Sequence, residues 1–119
     1  MRVTLKQIYF GYQTLSKIIT QELPIKIAFK MSKIIKVLSD EYALIEKQRN
    51  QLVAKHGEQQ ESGEVKVKKE NTEIFLSEFE DLLTETVELN IEKIKINNFP
   101  ETFKINVQDI TLIDFLLEQ

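Results

Sequence analysis

The 119-residue sequence has no cysteine and no tryptophan, one histidine, two prolines and three glycines. Without cysteine there is no disulfide framework, no thiolate nucleophile and no cysteine-ligated zinc. Such usage fits a reducing compartment, so the expected location is the cytoplasm. A lone histidine, His56, excludes multi-histidine metal centres, and its place near a helix end suits a capping or charge–dipole role. Glycines at 11, 57 and 63 are too scattered for a phosphate-cradling loop. No apolar run approaches the ~20 residues that a membrane span needs, and the start of the chain lacks the apolar core of a signal peptide. No membrane partner is therefore expected.

What remains is ordinary for a folded domain: 42% hydrophobic and 29% charged residues, near the globular norm. A chain of this length buries enough surface for one modest core without staples. No internal repeat or low-complexity tract appears, so the chain reads as a single domain over 1–119. Its charge is uneven. Through residue 55 there are ten basic residues against four acidic ones, a net of +6, and from residue 56 onward six lysines against fifteen acids, a net of −9. Such opposition points either to complementary packing of the halves or to a charged partner.

Thr4 with Gln7 has the form of a capping box, and Leu5, Ile8, Tyr12, Leu15 and Ile19 recur at helical spacing. The first helix is expected over about 4–20. Leu23-Pro24 breaks it, and Pro24 is well placed to open a second. From Ile27 the apolar series Met31, Ile34, Ile35, Leu38, Tyr42, Ile45, Leu52 and Val53 keeps helical period, which predicts a helix over about 24–56 with Gly57 as its C-terminal cap. The two form an antiparallel hairpin. At 1.5 Å per residue the second helix is about 48 Å long and the first about 25 Å, so half of the long helix needs another cover, from a third helix or a second chain.

Residues 57–63 read as an exposed polar loop. Alternation at 64–68 suggests a short edge strand. A third, acidic helix is expected over 72–86, capped by Asn71 or Thr72, with Ile74, Phe75, Phe79, Leu82 and Leu83 inward and Glu73, Glu78, Glu80, Asp81 and Glu85 outward. Alternation then predicts strands at 87–96, interrupted near Glu92-Lys93, and at 103–106, paired as a small β-hairpin. Asn106 caps a short last helix over 107–117. The fold class is α+β, mostly helical.

Carboxylates are abundant, but their spacing is that of solvated helix faces, not of two acids sharing a pocket. No catalytic residue, metal site or cofactor is expected, and the chain is not read as an enzyme. The strongest constellation is Lys26, Lys30, Lys33 and Lys36. A 100° turn per residue gathers them within about a third of the helix circumference, opposite the Ile27-Met31-Ile34-Leu38 face. Such a stripe is either an ordinary solvated face or a docking face for an anion or acidic protein. The acidic total and the lack of interleaved aromatics argue against nucleic acid. Arg49 falls on the apolar side of the second helix, where an unpaired guanidinium is costly. A structural ion pair with Asp81 or Glu85 is expected to satisfy it. Phe10, Val37 and Leu44 lie off the core side and are candidates for a subunit or partner contact.

Three segments, Leu23-Pro24-Ile25-Lys26-Ile27-Ala28-Phe29-Lys30, Glu46-Lys47-Gln48-Arg49-Asn50-Gln51-Leu52 and Lys55-His56-Gly57-Glu58, carry a resemblance. With Phe79-Glu80-Asp81-Leu82-Leu83 and Ile91-Glu92-Lys93-Ile94-Lys95-Ile96, the chain resembles small proteins encoded by phages and prophages of low-GC Gram-positive bacteria. The resemblance implies origin and brings no catalytic residue. The resulting expectation is a non-enzymatic phage accessory protein in the bacterial host's cytoplasm, binding a host or phage protein and inhibiting a host or defence component. Its alternatives are a virion or assembly component and an oligomeric sponge for an anionic nucleotide.

Overall fold

Thr4 starts the first helix as its sequence predicts: its hydroxyl accepts from the Gln7 amide at 3.1 Å, while the Gln7 side chain accepts from the Thr4 amide at 2.9 Å. The computed structural model describes all of residues 1–119. Helix α1 spans Leu5–Ile18, and α2 spans Ile25–His56, entered directly after Pro24. Helix α3 spans Thr72–Leu83 and α4 Val107–Ile113. Helical residues make up 62% of the chain, so the fold is α+β and mostly helical.

Six short strands complete it. β1 (Arg2–Thr4) pairs antiparallel with β4 (Thr86–Glu88), β2 (Gly57–Gln59) antiparallel with β3 (Val65–Val67), and β5 (Ile94–Lys95) parallel with β6 (Leu117–Glu118). The β-hairpin thus stands at 57–67 and not at 87–106. The polar segment after α2 is half strand, and Gly63, at φ +88, makes the turn that a side chain would strain. Gly57 is extended, at φ −109, and is not a left-handed cap. It is required by close approach instead, since a Cβ there would collide with the Val53 carbonyl oxygen and lie 2.7 Å from that of Lys66.

The expected strand at 103–106 does not form, because its intended partner is already committed. Residues 86–88 pair with β1 and 94–95 with β6, leaving 103–106 without a strand neighbour. The alternation still has physical meaning: Phe103 and Ile105 turn inward, and between them the Lys104 backbone bonds a side chain. The Gln21 amide donates to the Lys104 carbonyl at 2.5 Å and accepts from the Lys104 amide at 3.0 Å. α3 stops at Leu83, short of 86, so that β4 can pair with β1. α4 stops at Ile113, a 3-10 turn follows at Asp114–Leu116, and Leu117 leaves to join β5. Asn106 caps α4 as expected, its side-chain oxygen accepting from the Asp109 amide at 2.7 Å.

The core is one cluster of fourteen buried residues, with Ile8, Leu15, Leu38, Ile45, Ile94 and Leu116 the largest fully enclosed. Each is worth about 1.5–3 kcal/mol of transfer free energy. α1 covers the first half of α2, with α4 packed against α1, while α3 and the β-hairpin cover the second; Ile74, expected inward on α3, is instead half exposed to solvent. A third helix therefore supplies the cover that the length mismatch demanded. Aromatic rings seal the seam of α1, α2 and α3: Tyr9 stacks on Tyr42 at 5.3 Å and meets the edge of Phe79 at 5.3 Å. Burial, with the charge of Glu46 next, pushes the Tyr9 phenol above its ordinary value.

Candidate functional site

The four lysines of the first turns of α2 form one wall of a surface groove of about 650 Å³. Helical geometry also places Phe29 and Val37 within the lysine stripe and Ile34 beside it, on the flank that turns toward the core. The opposite wall comes from Asn90, Ile91 and Glu92, in the link between β4 and β5. Ile34 is buried and Val37 and Ile91 are half-buried, so the groove has an apolar floor beneath a basic rim. Phe29 stays 61% exposed on that rim. The Lys33 ammonium lies 4.7 Å from the Phe29 ring centroid, a cation–π contact across one helical turn.

None of Lys26, Lys30, Lys33 and Lys36 takes part in an ion pair. The ion pairs lie elsewhere, and every one joins a basic group of the first 56 residues to an acid beyond residue 77. The opposed charge of the two halves thus does serve as complementary packing, but the lysine stripe is left out of it. Along the helix the stripe rises about 15 Å. Four ammonium groups over that length, above an apolar floor, suit an extended acidic segment carrying one or two apolar side chains. Sequence periodicity located the lysines; it missed Phe29, though the one-turn spacing to Lys33 was a usable signal. Asn90–Glu92 reach the site only through the β1–β4 and β5–β6 pairings.

Arg49 forms no ion pair with Asp81 or Glu85, contrary to expectation. Its guanidinium carbon instead stands 6.0 Å from the Phe75 ring centroid. The reason is rotational. α3 turns Phe75 and Phe79 toward α2, and Asp81 lies about 140° around from them. Glu85 falls beyond the helix end, where its backbone carbonyl accepts from the Leu5 amide at 2.8 Å. Arg49 is half-buried and Asp81 and Glu85 are exposed.

Glu78, expected on the outer face, is the acid that α3 does present. It accepts from Lys55 at 3.2 Å through both carboxylate oxygens, and one of them lies 3.2 Å from His56 Nε2. Hydrogen bonding from Lys55, and then from His56, lowers the Glu78 pKa below its ordinary value. His56 is buried and its carbonyl accepts from the Asn71 side chain at 3.1 Å and from the Lys68 amide at 3.0 Å. It staples three elements together, which accounts for it structurally. Asp109 was not singled out in the sequence. It is buried and paired with Lys17 at 2.9 Å, tying α4 to α1.

Of the three off-core apolar candidates, Leu44 is well exposed, Phe10 borderline, and Val37 half-buried in the groove floor. No three His, Asp or Glu side chains converge in a way that could hold a metal ion. No helix is long and apolar enough to cross a membrane. No protein-family model, curated protein or solved structure matches the chain.

Proposed function

We propose that the chain is a non-enzymatic accessory protein that works by binding another protein, with the lysine groove on α2 as the contact surface. The observation that carries the reading is the four-lysine wall without a single carboxylate partner, set above an apolar floor and beside an exposed Phe29. Desolvating a paired charge gains a partner little, whereas unpaired ammonium groups around an apolar floor supply both steering and burial. The partner is an acidic, partly apolar segment of a host or phage protein. On the expected phage or prophage origin, the target proposed is a host defence component met in the bacterial cytoplasm.

The test is native mass spectrometry of complexes purified gently from the bacterial host, comparing the wild type with the Lys30→Glu/Lys33→Glu double variant. A bound protein mass is expected on the wild type, and re-titration with that purified protein should show at least a tenfold weaker Kd for the variant. Affinity should also fall steeply with salt. Equal retention by the variant removes the groove as the contact surface. A retained nucleotide in place of a protein assigns the groove to an anionic small ligand.

A further inference from the structure

A second concavity lies beside the opposite face of α2 and shares no lining residue with the lysine groove. It is an apolar cavity of about 250 Å³, lined by twelve residues of which eleven are hydrophobic and the last is Pro100. Leu15, Ile18 and Met31 of the helical hairpin form its inner wall, and α4 closes one side with Ile110 and Ile113. Its outer wall is the strap 96–105, which contributes Phe99, Phe103 and Ile105.

We propose that this pocket, partly open on its outer side, is a binding site for a small, uncharged, apolar molecule of about ten non-hydrogen atoms, with the strap adjusting around it. Three observations carry the assignment. First, the wall of this partly open pocket is almost wholly apolar, so water standing in it finds few of the two to four polar neighbours it needs and an apolar guest displaces it readily. At the packing density of protein interiors its volume accommodates roughly ten carbon atoms. An apolar guest gains dispersion contacts along the walls it touches and removes their apolar surface from water.

Second, the strap is built to move without dismantling the fold. Residues 99–106 belong to no helix or strand. Their turn is local, with the Phe103 amide donating to the Pro100 carbonyl at 2.9 Å. The two hydrogen bonds between Gln21 and the Lys104 backbone moor the strap to the turn after α1. Opening it breaks no strand ladder. Third, the strap's two aromatic rings face each other at 5.0 Å between centroids and both line the cavity. They offer flat faces to an aromatic or compact aliphatic guest. Charged and strongly polar ligands are excluded, because nothing in the lining would pair with them.

The experiment is a titration of the full chain with naphthalene, followed by the methyl NMR signals of Ile, Leu and Met, with 1-naphthoate as the charged counterpart. Expected are shifts concentrated on Met31, Ile105, Ile110 and Ile113, no shifts at Ile8 or Ile45, and a naphthoate affinity at least tenfold lower. The thermal midpoint should rise by a degree or more at saturating naphthalene, since the guest binds only the folded state. An Ile105→Phe variant, which fills the cavity from the movable strap, should lose at least tenfold in naphthalene affinity with its other methyl signals in place. Should that variant not fold, the naphthalene and naphthoate comparison on the wild type decides alone. Absence of shifts at aqueous saturation, shifts centred elsewhere, or equal binding of naphthoate overturns the proposal.

Discussion

Glu78 shows how one residue can make stability depend on pH. Hydrogen bonds from Lys55 and then His56 favour its ionised form in the folded state, so its pKa falls below the ordinary 4.5. A carboxylate whose folded pKa is depressed stabilises the fold at pH values above its unfolded pKa, and that contribution is lost as pH falls through the folded value. The wild type should therefore lose its advantage over Glu78→Gln as the solution is taken from pH 7 to below about 4. Urea midpoints of both proteins at pH 7, 5, 4 and 3 check this; a constant difference across the series contradicts it. Residue-level inference from sequence was uneven for a physical reason. Helical phase alone correctly showed that Arg49 faces the neighbouring helix. It could not show which side chain α3 presents there, because that depends on how α3 is rotated about its own axis. The same rotation turned Glu78 toward Lys55 and left Asp81 in solvent.

Elements held together by their own hydrogen bonds were legible, and those completed by distant partners were not. The capping box at Thr4 and Gln7 and the 3.6-residue periodicity of α2 are local properties, so their bounds were read nearly to the residue. Replacing Thr4 by alanine removes the oxygen that satisfies the Gln7 amide, and should destabilise the protein by about 1 kcal/mol in chemical denaturation. Gln7→Ala, which breaks only the reciprocal half of the box, should cost less. Strands behave otherwise. The alternation of Phe103 and Ile105 marked a two-faced extended segment correctly, but nothing local tells a chain whether its ladder partner is a strand or the side chain of Gln21. The lysine stripe was legible as a stripe for the same reason that α2 was, whereas the groove depends on Ile91 and Glu92 arriving from another part of the chain.

At the scale of the whole molecule, the long helix governs shape. Its 32 residues span about 48 Å, and the greatest extent of the protein is 48 Å. The radius of gyration is 17.0 Å, against about 13.5 Å for a compact chain of this length. Small-angle scattering at low concentration should therefore give a value near 17 Å or slightly above it for the hydrated particle; a value of 13–14 Å would mean that the distal half of α2 folds back. The accessible surface tells the same story: 8374 Å², where about 6,700 Å² is usual for 14.0 kDa. That excess is about twice the roughly 800 Å² that each partner contributes to a standard protein–protein interface. An elongated scaffold with unneutralised lysines at one end suits a protein whose work is done on its surface.

The pairing of β1 with β4 also has a kinetic side. Arg2 reaches Thr86 across 84 positions, and Lys17 reaches Asp109 across 92. Helices elongate on a nanosecond-to-microsecond scale, but these clasps join segments more than 80 residues apart, and the chain pays the loop-closure entropy before the ladder repays any of it. Folding should thus be slower than that of a helical bundle of equal size and equal stability. Weakening a clasp that forms after the transition state leaves the folding rate nearly unchanged and shortens the lifetime of the native state.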